Sequence, residues 1–328
     1  MGFGRPMLLG ARRFAAGVDV AARGVTLAVL SRPLLGSGPV RVEWLAGAPL
    51  AREAMAGADI VDRTAVVQAL RSVFGQLPRE CAVASLRCAM ALPASATLVA
   101  TVPLAQLAPG GCMADESQIY AELEPLVLAE AERVAGIERH ELAVDWRVAP
   151  WAGAEPHGTQ VTIAATTRAH LETRIECAAM AGVTLCAVDD EAHAALRAMR
   201  YAAGFELAPH EPYIALWIGV EGMRGWAVAD DAVTREMRFP ALEHADLVEA
   251  LRDLTQGEPA GCAVVAGNIA LLRGVHFTLR DIGNLLGCPI LPFECATLED
   301  AERPLAANLS HDPLCAVAFG LALRGVSE

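Results

Sequence analysis

Asp19 closes the apolar stretch Ala15-Ala16-Gly17-Val18-Asp19-Val20, which runs through Ala21-Ala22-Arg23-Gly24 into a second apolar stretch, Val25-Thr26-Leu27-Ala28-Val29-Leu30. A carboxylate at a strand end, beside a turn of small residues, can stand near a hydrated Mg2+ while backbone N–H groups hold phosphate. The pattern returns in the second half: Tyr213–Ile218, then Gly219-Val220-Glu221-Gly222, then Met223–Ala229. Glu221 is the carboxylate that this second turn could offer, and a solvated side chain is its plainer reading. Gly219, Gly222, Gly225 and Gly267 allow close backbone approach to a ligand, and they suit tight hairpins equally well. Asp19 likewise has a plain role as an aspartate that steadies its turn.

Other chemistries lack their residues. All 26 basic side chains are arginine, so there is no lysine for a P-loop, a Schiff base or a kinase-type strand. The nine cysteines are scattered without a C-x-x-C and read as buried, reduced thiols. The eight histidines show no H-E-x-x-H, and His311-Asp312 has no G-x-S-x-G nucleophile elbow to serve, so it reads as surface loop. A net charge of −13 argues against nucleic acid and against a polybasic attachment to lipid. Met1–Arg13 lacks a signal-peptide core, and the uncharged run Cys88–Met113 is interrupted by Pro93, Pro103 and Pro109, so no membrane insertion is expected.

These residues must be positioned by alternating strands and helices. Strands are expected at Ala15–Val20, Val25–Ser31 and Val40–Leu45, then a helix at Asp62–Gln76 with Asp62 as N-cap, and a buried strand at Cys88–Leu92. A glutamate-rich helix at Asp115–Val134 reads as a solvated amphipathic face or as a docking face for a partner. It is followed by strands at Glu141–Val148 and Gln160–Ala165 around a loop at Trp151–Gly158, then a helix at Arg168–Ala181 and a strand at Thr184–Val188. A helix at Asp190–Ala203 and a linker at Glu206–Pro212 lead to the second set. That set has strands at Tyr213–Val220, Gly222–Ala229 and Thr234–Phe239, a helix at His244–Thr255 and a strand at Cys262–Ala266. Gly267-Asn268 breaks this strand before a helix, and Leu314–Leu323 closes the chain as an apolar helix. Strand triplet, helix, strand, helix, given twice, predicts two α/β domains around a cleft.

In order and spacing the chain resembles the PilM family, actin-like proteins of type IV pilus assembly related to FtsA. Gly17-Val18-Asp19-Val20 stands where that family has Gly-Ile-Asp-Ile-Gly. Ala91-Leu92-Pro93-Ala94-Ser95-Ala96 is similar to its Leu-Pro-x-Ser-Ala segment, and Val188-Asp189-Asp190-Glu191-Ala192 and Gly320–Arg324 match its return strand and closing helix. The resemblance implies an α/β actin-like two-domain fold with an inserted FtsA-type subdomain. Residues 14–96 plus 188–208 would form the first domain, 97–187 the insertion, and 209–328 the second domain.

It also implies where a nucleotide would sit: Asp19, Ala21 and Ala22 at the first turn, Gly219 at the second, and Gly267 and Asn268 on the adenine side. Here the residues depart from the family. Gly-Ser has become Ala21-Ala22, the aspartate before Ile218-Gly219 is Trp217, and the adenine-side Gly-Gly is Ala266-Gly267. Each change removes a hydroxyl, a carboxylate or close backbone approach that Mg-ATP would use. Trp217 is expected to fill part of the former metal site. No catalytic or metal-ligating residue is assigned.

The expectation is a cytoplasmic scaffold, peripheral to the inner membrane, without confirmed cofactor and with ATP and Mg2+ binding weak or lost. By the resemblance its partner is the cytoplasmic tail of a PilN-like inner-membrane protein, with a pilus motor or platform protein as a further candidate. The tail would dock between the first domain and the insertion, near the helix at 115–134 and the strand after Thr159. The alternatives are an active Mg-ATP ATPase of the same machine and a type II secretion cytoplasmic-domain relative.

Overall fold

The structure is a computed structural model that describes residues 12–34, 38–81, 86–108, 116–150, 159–240, 244–255, 260–295, 305 and 307–327. The chain divides into two compact units, one of Met1–Ala56, Ile60–Ala91 and Cys177–Glu328, the other of Gly57–Asp59 and Leu92–Glu176.

The larger unit opens with an antiparallel meander, β1 (Arg12–Ala21), β2 (Gly24–Pro33) and β3 (Arg41–Pro49). The short strands β4 (Met55–Ala56) and β5 (Asp59–Ile60) precede α1 (Arg63–Gly75), and β6 (Arg87–Leu92) pairs parallel to β1. Asp62 caps α1 by accepting from the Ala65 N–H at 3.0 Å, which satisfies one otherwise orphaned donor. Alternate residues of β1, Ala16, Val18 and Val20, point into a core with Val66, Leu70 and Val73 of α1. The intervening residues, Ala15, Gly17 and Asp19, lie on the opposite face of the sheet.

The smaller unit holds β7 (Leu98–Pro103), α2 (Leu104–Leu107), α3 (Glu116–Ala135), β8 (Leu142–Pro150) and β9 (Thr159–Thr167), and α4 (Arg168–Met180) starts within it. Its sheet is antiparallel in the order β7-β9-β8, which leaves β7 and β8 as edges. Leu123, Val127 and Ala131, one helical turn apart along α3, bury against Val161, Ile163 and Ala165 of β9. Cys88–Met113 is thus strand, turn and strand through Pro103, and the part from Pro109 lies outside the described residues, as does the loop Trp151–Gly158.

β10 (Leu185–Asp190) completes the first sheet in the order β3-β2-β1-β6-β10, and α5 (Glu191–Glu206) follows, capped by Asp190. The second sheet takes β11 (Tyr213–Gly219), β12 (Gly222–Ala229) and β13 (Ala232–Phe239), then α6 (His244–Thr255) and β14 (Ala263–Gly267). α7 (Leu279–Leu286), β15 (Ile290–Pro292), α8 (Ala307–Ser310) and α9 (Ala316–Ser327) end the chain. Its order, β13-β12-β11-β14-β15, repeats the plan of the first sheet strand for strand, with β14 parallel to β11 as β6 is to β1. Ile214, Leu216 and Ile218 bury against Leu247, Leu251 and Ile282 of α6 and α7.

Three local differences from the sequence reading have simple causes. A 3-10 helix, Ile269–Val275, stands where a helix was expected after Asn268, and α7 comes only after it. α7 is set by a full capping box between Thr278 and Asp281 and by Gly287 in a left-handed C-cap. The closing helix begins at Ala316 because Pro313–Cys315 forms a 3-10 turn capped by Asp312.

α9 and α5 fill the layer between the two sheets. α9 packs on β1, β2 and α5, and α5 packs on β11 and β14. Small residues make this approach close. A Cβ on Gly17 would strike the Ala318 carbonyl and lie 2.6 Å from the Ala322 nitrogen, and one on Gly320 would strike the Ala194 carbonyl. Asp189 ties the layer by accepting from Arg197 of α5 at 3.0 Å and from Arg324 of α9 at 3.1 Å. Among the described residues no helix is long and apolar enough to cross a membrane.

Candidate functional site

Both opening hairpins reach the inter-sheet face, and their ladders can be compared position by position. In the first, Ala21 pairs with Gly24 and Asp19 with Thr26; in the second, Gly219 pairs with Gly222 and Trp217 with Arg224. The faces follow from the cores. Gly17 abuts α9, so Asp19 two residues on shares that face. Ile218, Leu216 and Met223 belong to the core under α6 and α7, so Trp217 and Arg224 face the other way, toward the layer of α5 and α9.

The side chains at the two hairpins are not equivalent. Asp19 is half-buried, Ala21 is exposed and Ala22 packs partly into the first core. Cys315, at the end of the 3-10 turn Pro313–Cys315 that Asp312 caps, feels the charges of both Asp312 and Asp19, and the turn packs on β14 and β2. Burial, then the carboxylates of Asp312 and Asp19, push the Cys315 thiol up to about 12. Cys315 stays a neutral thiol whose Sγ–H donates to the Leu309 carbonyl at 3.2 Å, and it offers no thiolate to a metal.

At the second hairpin the Trp217 indole is buried at 6 % exposure and lies over Gly219. A Cβ on Gly219 would meet three of its six-ring carbons. Val220 and Glu221 form the exposed tip, and Gly222, at φ 125°, sits against the Phe239 carbonyl where a Cβ would clash. Gly267, at φ 90°, is likewise bound to its own sheet. A Cβ there would strike the Ile218 carbonyl, which also accepts from the Asn268 N–H at 2.8 Å. Asn268 precedes the 3-10 helix, and its side chain makes no cap bond. His311 is exposed and pairs through Nδ1 with Glu294 at 2.8 Å.

These residues fit an Mg-nucleotide poorly. Trp217 supplies an indole where a second carboxylate would be needed, and its ring covers the backbone of Gly219. Ala21 and Ala22 offer no hydroxyl, and Gly267 spends its close approach on Ile218. Among the described residues no group of three or more His, Cys, Asp or Glu side chains gathers in a metal-binding cluster. Sequence reasoning missed Arg224, which is 8 % exposed with its Nη1 buried and unpartnered among the described residues. Its signal was register: counted from the turn, Arg224 is the residue opposite Trp217.

Two sheets of identical strand order, each opening in a hairpin and joined through small-residue helices, define an actin-like α/β protein. A sequence profile described as type IV pilus assembly protein PilM matches residues 17–217, more than half of the chain. The chain belongs to the PilM family. Among solved structures it is similar to a chain of the PilM-PilN type IV pilus biogenesis complex, at 20% identity and TM-score 0.69 over 95% of this chain and 98% of that one. A Bacteroides thetaiotaomicron protein of actin-like ATPase fold matches at 6% identity and TM-score 0.47, covering 96% and 99% of the two chains. The cytoplasmic domain of Vibrio cholerae EpsL, from the type II secretion system, matches at 13% and 0.44, covering 78% and 83%.

Proposed function

We propose that this chain is a non-catalytic cytoplasmic scaffold of type IV pilus assembly that captures the cytoplasmic tail of a PilN-like inner-membrane protein. Membership of the PilM family carries this reading, and the fold shared with a chain solved in a PilM-PilN complex supports the choice of partner. The replacement of the second-turn aspartate by a buried indole supports loss of Mg-ATP chemistry.

The smaller unit supplies a surface suited to such a tail. Between α3 and β8 lies a depression of about 790 Å3 lined by apolar Leu128, Leu142 and Val144, by Glu124, Glu132 and Glu138, and by Arg139, His140 and Arg168. Cytoplasmic segments beside inner-membrane spans are rich in Lys and Arg, so their charge complements a chain of net charge −13 and, in this depression, the Glu124 carboxylate. Arg139 and His140 stand 3.5 Å from Glu132 and 3.3 Å from Glu138, which leaves Glu124 as the lining carboxylate without an ion pair among the described residues.

Calorimetric titration with a synthetic peptide of the partner's cytoplasmic tail tests the reading. Saturable binding, weakened by Glu124→Arg and by added salt, is expected. A tail peptide that gives no saturable heat overturns it. The second reading, an active ATPase, rests on Asp19 facing the inter-sheet layer and requires Mg-ATP turnover by the same protein.

A further inference from the structure

A second groove, of opposite charge to the depression beside α3, lies at the far edge of the second sheet. β15 ends the order β13-β12-β11-β14-β15, so one side of its backbone has no neighbouring strand among the described residues. The ladder with β14 decides which groups face outward. The Pro289 carbonyl accepts from the Ala263 N–H, and the Phe293 N–H donates to the Val265 carbonyl, each at 2.8 Å. Residues 289, 291 and 293 therefore turn their bonding groups toward β14, and Ile290 between them turns its N–H and C=O the other way. Beside this edge α7 and β15 enclose a depression of about 680 Å3, lined by Leu279, Arg280, Gly283, Asn284, Cys288 and Ile290 among others. Gly283 brings helix and strand together, since a Cβ there would stand 3.2 Å from both the Cys288 carbonyl and Ile290 Cγ1. No acidic side chain lines the depression, although the chain carries 39 acids against 26 arginines. Arg280 is exposed and pairs with no carboxylate of a described residue. Asp281, its neighbour in sequence, is held by the helix cap, where it accepts from the Thr278 N–H at 2.8 Å and hydroxyl at 2.6 Å.

We infer that the groove between α7 and β15 binds an extended acidic segment of a protein partner. The segment's backbone pairs with the outward N–H and C=O of Ile290, a carboxylate meets Arg280, and an apolar side chain rests on Leu279 and Ile290. Each part of that ligand answers a feature of the groove. A free strand edge takes main-chain pairing from many sequences, so the side chains beside it must supply the selectivity. A guanidinium without a counter-charge in the groove attracts a carboxylate and repels a segment rich in Lys and Arg. Asn284, exposed one turn on from Arg280, offers an amide that both donates to and accepts from a peptide backbone. The two grooves thus select partners of opposite charge, a basic tail beside α3 and an acidic segment beside α7. Neither inference rests on the other, and either can fail alone.

Fluorescence anisotropy of the full chain with labelled seven-residue probes tests it. The acidic probe, Leu-Thr-Asp-Thr-Leu-Thr-Asp with blocked ends, sets Leu and Asp on one strand face. Its reference carries Asn in place of Asp. The acidic probe is expected to bind saturably, about threefold tighter than the reference. Arg280→Glu should weaken it about tenfold, because repulsion replaces attraction. That variant should melt no lower than the wild type, since an acidic residue in the exposed first turn of α7 is favourable. N-methylation of the amides along one edge of the probe strand should abolish binding, and along the other edge should be tolerated. No saturable binding of the acidic probe overturns the inference. So does binding that Arg280→Glu leaves intact, or binding that tolerates methylation along both edges, because the probe then lies elsewhere or does not pair with β15.

Discussion

At the first hairpin Asp19 faces Thr26 across the ladder; at the second, the same two positions are Trp217 and Arg224. The backbone plan is shared down to the pairing that closes each turn, Ala21 with Gly24 and Gly219 with Gly222. What differs is charge and volume on the face turned to the layer between the sheets. One hairpin keeps a half-buried carboxylate that acts on Cys315, and the other holds a buried indole and a buried guanidinium. A metal-nucleotide site needs both hairpins to contribute, so the altered second hairpin is what supports the proposed loss of that chemistry. Each sheet packs a separate hydrophobic cluster on its opposite face, under α1 in the first and under α6 and α7 in the second, so the strand order is supported from that side as well.

The largest effect that would break the comparison lies in the strands behind the turns. Counted from the turns, Gly17 of β1 corresponds to Ala215 of β11, and Gly17 has the backbone of α9 against its Cα. Gly17→Val should cost about 3 kcal/mol or more through overpacking against α9, or prevent folding, whereas Ala215→Gly should cost about 1 kcal/mol. Urea midpoints of the two variants read the difference, and equal costs would show that the two strands are not unequally packed.

Next come the paired positions themselves. Trp217→Ala should cost about 3–5 kcal/mol as a buried aromatic truncation. Trp217→Asp places a carboxylate directly opposite Arg224, so it should be better tolerated with Arg224 present than with Arg224→Met. A double-mutant cycle should give a coupling of about 1–3 kcal/mol. A coupling near zero would mean that the two side chains do not share a face.

The thiols give a smaller, pH-dependent effect. Burial, as the main cause, holds Cys88 and Cys315 at about 12, above the ordinary value of 9.0. A raised folded-state value means that the folded protein keeps a proton that the unfolded chain gives up. The stabilisation is complete below pH 9 and is lost between about pH 9 and 12. Urea unfolding followed from pH 8 to 11 should show falling stability, and exchanging Cys88 and Cys315 for Ala should flatten the fall. Under native conditions iodoacetamide should label Cys186 first among the described cysteines, because it is exposed and the other seven are buried. Smallest is the cap of α1: Asp62→Ala should cost about 1 kcal/mol, read from the same urea curves.

Much of this was legible in the sequence where physics is local. The repeated apolar strand, small turn and strand pointed to the twofold plan, because apolar runs and turn residues act over a few neighbours. Asp62 was legible as a cap for the same reason, and Trp217 as an intruder because its position could be counted from Gly219. The reason for Gly17 was not legible. In the sequence it is one residue of the stretch Gly17-Val18-Asp19-Val20, and what demands it is α9, roughly three hundred residues away along the chain. Gly267 was read for its freedom to approach a ligand, whereas its approach is to Ile218 of its own sheet. Arg224 became informative only once register placed it beside Trp217 and Arg238, since nothing in Met223-Arg224-Gly225 marks a buried charge.

We propose that the two hairpins keep the backbone plan of the fold without metal-nucleotide chemistry. Phosphate release from Mg-ATP by the purified full chain tests it most directly, measured for the wild type beside Asp19→Asn. The account predicts a wild-type rate equal to that of buffer and unchanged by the substitution. Steady turnover by the wild type that Asp19→Asn abolishes would contradict it.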